Sequence, residues 1–145
     1  MSSNDLLRYS KQIILKQVGI SGQKKIFSTK VLIVGMGGLG CPVALYLSNL
    51  GIKKIGIADH DKVDFSNLNR QILFNTKDIG KLKAVQAKRK LQKIDRNIKI
   101  NIYKKECNAN NICRVQLTES KIKDELLRSI LSKAARLEKT DKIKK

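Results

Sequence analysis

Between residues 35 and 83 the chain carries a glycine cluster, two neighbouring acids, an amide, a guanidinium and an ammonium group. Gly35, Gly37 and Gly40 fit the spacing G-x-G-x-x-G, with Gly38 among them. In such a turn the first glycine allows a tight reversal. The second lets backbone approach a phosphate without a Cβ in the way, and the third lets the next helix pack closely on its strand. Asp59 follows about 20 residues after the last glycine, where an acid binds ribose hydroxyls, and Asp61 stands beside it. Asn67 offers an amide, and Arg70 a guanidinium that can meet two phosphate oxygens at once. Lys81 and Lys83 bring ammonium groups, although in a lysine-rich chain any one lysine is more often a solvated charge. The chemistry these residue types share is nucleotide binding. A turn without a ligand has no need of four glycines, each of which costs stability.

The elements that must hold these residues can be read from periodicity. Val31 to Val34 is short, apolar and β-branched, as for a strand buried on both faces. The helix after the glycine turn is expected to begin near Cys41, with Pro42 in its first turn. Leu39, Val43, Leu47 and Leu50 form its apolar face, and Gly51 is its C-terminal cap. Lys54 to Ala58 reads as a second strand that delivers Asp59. Asp78 to Lys83 leads into a helix carrying Val85, Leu91 and Ile94, and alternation at Ile98, Ile100 and Ile102 marks a third strand ending at Tyr103. Before the first strand, Asp5 to Leu15 reads as one amphipathic helix capped by Asn4 or Asp5. Leu6, Leu7, Ile13 and Ile14 are its apolar positions and Val18-Gly19 its end, and a short helix follows from Gly22 to Phe27. Arg8 and Lys11 read first as a solvated face. Asn108 to Asn111 reads as a polar turn and residues 113 to 145 as a basic helical tail. The fold class this order implies is α/β: a Rossmann-like three-layer sandwich. The chain would form the N-terminal half of a doubly wound, mainly parallel sheet preceded by helices.

Composition narrows the function classes. The chain has 145 residues, enough for one domain with a real core. Its net charge of +19 would ordinarily suggest nucleic acid, but aromatic residues are only 4% and Trp is absent. Stacking platforms need aromatics, so no specific nucleic-acid partner is expected. The three cysteines, Cys41, Cys107 and Cys113, form no C-x-x-C pair. With His60 as the sole histidine, neither a disulfide scaffold nor a local four-ligand zinc site is expected. There is no signal peptide and no apolar run of membrane-spanning length, so a reducing cytoplasm and no membrane association are expected.

Taken together, RYSKQIIL at Arg8 to Leu15, VGMGGLG at Val34 to Gly40 and DHDKVDFSNLNRQIL at Asp59 to Leu73 resemble the ThiF/MoeB/HesA family of adenylyltransferases. These are relatives of the ubiquitin-activating enzymes. DIGKLKA at Asp78 to Ala84 and NANNI at Asn108 to Ile112 extend the likeness. The resemblance divides the chain into residues 1–112, the N-terminal part of an ATP-binding adenylation domain, and a tail of no recognised family at 113–145. S-N-L-x-R-Q is its most specific element.

The resemblance implies that ATP, with Mg²⁺, binds at the glycine turn, its phosphates near Gly38 and its ribose at Asp59. The family's Asn, Arg and phosphate-binding Lys fall on Asn67, Arg70 and Lys83. The implied reaction is attack by the C-terminal carboxylate of a small ubiquitin-like sulfur-carrier protein on the α-phosphorus of ATP, and the implied assembly is a homodimer. Arg70, Lys83 and Lys11 are then the catalytic cations. Two departures stand out. Lys11 occupies the place of the second Arg in the family's R-Y-x-R-Q, so the charge is kept and the planar fork is lost. After Ile112 the family's fourth strand, with its magnesium-binding Asp, is not recognisable. A truncated member is therefore expected, and the competing expectation is a non-catalytic, nucleotide-binding or dimerising remnant.

Overall fold

The computed structural model describes residues 1–104. The expectations for Cys107, Cys113, the turn at Asn108 to Asn111 and the basic tail lie outside the described residues.

Three parallel strands form the sheet: β1 (Lys30–Val34), β2 (Lys54–Ala58) and β3 (Lys99–Tyr103), in the order β1-β2-β3. Val31 pairs with Ile55 and Ile55 with Ile100; Ile33 pairs with Ile57 and Ile57 with Ile102. β-branched side chains thus stack across the sheet, as strands covered on both faces require. Ile55, Ile57, Ile98 and Ile100 are buried, together with Leu73, Phe74, Ala84, Ala87 and Leu91 from the connections. Helix α4 (Gly40–Leu50) links β1 to β2, and α5 (Lys83–Ile94) precedes β3. Gly51 closes α4 as a left-handed cap. Gln23 donates its side-chain N–H to the Leu50 carbonyl at 3.0 Å, satisfying one orphan acceptor there. This is the α/β, Rossmann-like fold anticipated, with helices ahead of the first strand.

Two local expectations are corrected. The first helix is two pieces, α1 (Ser3–Arg8) and α2 (Ser10–Ile13), broken at Tyr9. Its cap is Ser2, which accepts from the Asp5 N–H while the Asp5 carboxylate accepts from the Ser2 N–H, a reciprocal capping box. The break turns the Tyr9 ring inward: it is 1% exposed, whereas Leu7 is 78% and Ile14 72% exposed. Tyr9 meets Phe27 of α3 (Gly19–Ser28) edge-on at 5.0 Å, and Lys53 Nζ stands 5.0 Å from the Phe27 ring centre. Arg8 is not simply solvated, since its Nη2 donates to the Ile94 carbonyl at the end of α5, 3.2 Å away. The aromatic contact joins the N-terminal arm to α3, and this bond joins it to α5.

The second correction concerns α4. The residues it buries are Cys41, Ala44 and Ser48, not the large apolar ones. Leu39, Val43, Tyr46 and Leu50 share another face, and all four are exposed. Leu47, the fourth residue of the expected apolar face, does pack against the core, as does Leu45, while the fully buried positions are small where α4 starts almost in contact with β1.

Candidate functional site

The site begins where β1 runs out. Gly35 has φ +85°, a left-handed conformation that reverses the chain at no steric cost to glycine. A Cβ on Gly40 would stand 2.0 Å from the Gly35 carbonyl oxygen, so only glycine lets α4 start so close to the strand end. A Cβ on Gly37 would meet nothing within 4 Å, so backbone is open to a ligand there.

Asp59, at the end of β2, is 8% exposed. Its Oδ2 accepts from the Met36 N–H at 2.5 Å and its Oδ1 from the Asp61 N–H at 2.8 Å. The carboxylate therefore ties the glycine turn to the loop after β2. Met36, a residue the motif treats as a spacer, is wholly buried and is the anchor. Its neighbour Cys41 is also buried, with Sγ 3.3 Å from the Met36 carbonyl oxygen, and burial pushes its thiol pKa up. A thiol so placed is structural, not nucleophilic.

Asp61 is more than half exposed and accepts from Lys83 Nζ at 3.0 Å, whereas the Lys83 side chain is only 7% exposed. The Lys83 hydrogen bond outweighs the opposing effect of burial, and with the charges of Lys83 and His60 it holds the Asp61 pKa below the usual carboxylate value. His60 lies 3.4 Å from Asp61 on the outside of the loop. Lys81 turns away, donating to the Lys77 carbonyl at 2.7 Å.

The excursion from Asp59 to Leu82 is fastened at both ends. The Val63 N–H donates to the Lys81 carbonyl, the Gly80 N–H to Val63 and the Lys83 N–H to Asp61, all within 2.9 Å. Its far end is held by a capping box between Asn75 and Asp78 and by a Lys90–Asp78 ion pair. Between these anchors the loop folds back over the glycine turn. The Arg70 stem lies on Gly38, with Cγ 3.4 Å from where a Cβ there would stand. Arg70 Nη1 donates to the Ser66 carbonyl and to Asn69 Oδ1, each at 3.1 Å. Asn67 shapes the loop, its carbonyl accepting from the N–H groups of Arg70 and Gln71.

The glycine turn, Asp59, Asp61, Lys83 and Arg70 are thus one constellation at the carboxyl end of the strands, where open α/β sheets hold ligands. Lys11 is not brought into it. It is exposed on α2, and among the described residues it makes no hydrogen bond or ion pair. Met36, Ser66 and Asn69 belong to the constellation though sequence reasoning did not single them out. For Met36 and Ser66 the contribution is a backbone group, which residue type does not reveal.

The sequence profile of the ThiF family matches residues 9–129. The chain belongs to the ThiF family. It is 40% identical over 111 residues to the adenylyltransferase and sulfurtransferase MOCS3 of Culex quinquefasciatus, covering 77% of this chain and 25% of the relative. It is 43% identical over 100 residues to the sulfur carrier protein ThiS adenylyltransferase of Escherichia coli, covering 69% of this chain and 40% of that protein. Among solved structures it resembles Escherichia coli MccB with AMPCPP and MccA at TM-score 0.70 and 32% identity, over 79% of this chain and 34% of MccB. This ThiF-family chain therefore spans a quarter of the length of that MOCS3 and two-fifths of that ThiS adenylyltransferase. None of its described helices is long and apolar enough to cross a membrane.

Proposed function

We propose that this chain binds ATP at the glycine turn as the nucleotide-binding part of an adenylyltransferase, acting in the cytoplasm on the C-terminal carboxylate of a small ubiquitin-like sulfur-carrier protein. The observation that carries the reading is Arg70, whose stem lies on Gly38 beside an open Gly37 backbone, at the turn where the phosphates of a nucleotide would lie. A carboxylate oxygen of the carrier would attack the α-phosphorus; the bond to the bridging oxygen breaks, pyrophosphate leaves and an acyl-adenylate forms. Both reactants are anions, so cations are needed to screen their approach and to stabilise charge as it develops. Arg70 and Lys83 are the groups at hand for that work, and no side chain need attack covalently.

Gly35, Gly37, Gly38 and Gly40 form the cradle, and Asp61 is the acid exposed enough to meet ribose hydroxyls. Asp59 acts one step back, since two backbone amides hold it. Asn67 contributes through the shape of the loop. Among the described residues no cluster of three His, Cys, Asp or Glu side chains could hold a metal ion. A Mg²⁺ accompanying ATP would rest on the phosphates, with Asp61 as the exposed carboxylate nearby. Arg70 and Lys83 would share the phosphate charge with it. A homodimer belongs to the same reading, with Lys11 serving the partner's site. The exposed apolar row on α4 and the N-terminal Leu7 and Ile14 support a protein contact.

A second reading is a nucleotide-binding or dimerising protein without chemistry of its own. It is favoured by β1 being a sheet edge among the described residues, with Val34 51% exposed. That leaves one wall of the usual switch-point crevice. Thermal unfolding with magnesium-ATP and with NADH, followed by ATP–pyrophosphate exchange with the carrier, separates the two. An ATP-specific rise in Tm with exchange supports adenylylation. A rise without exchange supports the second reading as a nucleotide binder, and no rise overturns nucleotide binding in either reading and leaves only the dimerising role.

A further inference from the structure

Arg70 has five N–H donors in a rigid plane, and their use is uneven. Nη1 donates to the Ser66 carbonyl and to Asn69 Oδ1, each at 3.1 Å. Among the described residues, Nε and Nη2 have no acceptor. The free edge is therefore the one that carries two parallel N–H groups, the geometry that meets two oxygens of one phosphate. The Ser66 carbonyl is itself placed by the short turn Phe65–Asn67, which Asp64 caps. Asp64 Oδ1 accepts from the Ser66 N–H at 2.8 Å and from Ser66 Oγ at 2.6 Å. Asn69, which fills the open position of S-N-L-x-R-Q, supplies the second acceptor.

We propose that Asn69 is a positioning residue: with the Ser66 carbonyl it saturates Nη1, so the Nε–Nη2 edge of Arg70 is left free as a preformed fork for a phosphate at the glycine turn. This rests on the nucleotide reading of the site and specifies how that site grips its ligand. An exposed arginine samples many rotamers, and each acceptor at Nη1 removes orientations in which the fork points elsewhere. Binding then costs less ordering. Leucine at residue 69 would keep the bulk and lose the acceptor. An amide Oδ1 is also a better choice than a carboxylate here, because a negative charge beside the fork would repel the phosphate.

The test is a double-mutant cycle on the full 145-residue chain. ATP and adenosine dissociation constants are measured for the unaltered protein, Asn69→Leu, Arg70→Ala and the double variant. Asn69→Leu should weaken ATP about three- to tenfold, the factor that one hydrogen bond's contribution converts to. It should leave adenosine, which has no phosphate to grip, unchanged. In the Arg70→Ala background it should cost nothing further. Unaltered ATP affinity in Asn69→Leu, an equal loss with adenosine, or the same loss in both backgrounds would overturn the proposal while leaving the nucleotide site intact. If the unaltered protein bound no ATP, or Arg70→Ala bound it undiminished, the reading of the site would fail and this inference with it.

Discussion

Lys83 and Asp61 form a lopsided ion pair: Nζ lies 3.0 Å from Oδ2, with the lysine side chain 7% and the aspartate 54% exposed. The ammonium group sits against the protein while its partner faces water. The pair keeps the nearly buried ammonium charge satisfied.

That asymmetry predicts unequal costs of breaking the pair. Asp61→Ala strands a nearly buried cation and should cost about 1 kcal/mol; the low end of the range applies because water can reach the vacated side. Lys83→Met leaves only an exposed carboxylate and should cost less. In pyrophosphate exchange the order should invert, with Lys83→Met slowed about 10²-fold or more, as for loss of one charge-stabilising donor. Urea unfolding and exchange rates on the same two variants check both halves. Equal stability losses would contradict the burial argument.

The glycines separate in the same way. Gly40→Ala forces a Cβ to within 2.0 Å of the Gly35 carbonyl, so α4 must move off β1. A loss of about 3 kcal/mol or more is expected, in the range of severe core strain. Gly37→Ala meets nothing within 4 Å, and its φ is not among the positive values. Its stability should stay within about 1 kcal/mol, while ATP affinity falls because the new methyl group occupies the phosphate's approach. Thermal melts with and without ATP distinguish the two. An unstable Gly37→Ala would show that the open space is needed by the fold itself.

How much of this was legible beforehand depends on whether a feature is local. The three strands, the glycine turn and the Gly51 cap follow from residue type and short-range period, and they are found within a residue of their expected ends. Which face of α4 packs was not legible. Hydrophobicity favours Leu39, Val43, Leu47 and Leu50, of which only Leu47 packs against the core, whereas the close approach at Gly40 selects Cys41, Ala44 and Ser48 by size. Nor was the break at Tyr9, because a buried ring paired with Phe27 outweighs the continuity of an amphipathic pattern. Among site residues, the positions of Asp59, Asp61, Arg70 and Lys83 were readable but their partners were not. A carboxylate that ribose would suit is equally suited to two backbone amides, and residue type does not reveal the amides.

Acid should destabilise the protein through five carboxyl groups. Asp5, Asp61, Asp64, Asp78 and Asp95 all have their pKa values lowered in the folded state. For Asp78 and Asp95 burial works the other way, but Lys90 and the Asn75 N–H, and Lys53 and the Asn97 N–H, outweigh it. A depressed carboxyl pKa contributes stability that is fully present above the unfolded value, about 3.9, and is lost as pH falls through the lower folded value. The urea midpoint should therefore be flat with respect to these groups from about pH 7 to 5 and fall steeply below about pH 4. Asp95→Asn, which weakens the link to Lys53 beside Tyr9 and Phe27, should flatten that fall. A variant as acid-sensitive as the parent would remove Asp95 from the account.

The two faces of α4 give opposite expectations for one helix. Ala44 is wholly buried against the sheet, and Ala44→Leu should cost about 1–3 kcal/mol through overpacking. Tyr46 is 77% exposed and Leu39 85%, so Tyr46→Lys and Leu39→Lys should change the stability of an isolated chain by no more than about 0.5 kcal/mol. Their effect belongs to association. If the outer row is the contact between copies, either lysine places a buried charge in an apolar interface and shifts the assembly toward monomer, because the partner offers it no acid in that row. Sedimentation velocity at several protein concentrations reads that shift, and chemical denaturation reads stability on the same samples. A parent protein that is already a monomer, with unfolding unchanged by the lysines, would remove the α4 row from any homodimer interface. Substantial destabilisation of that monomer would mean that the outer row is covered by the chain itself.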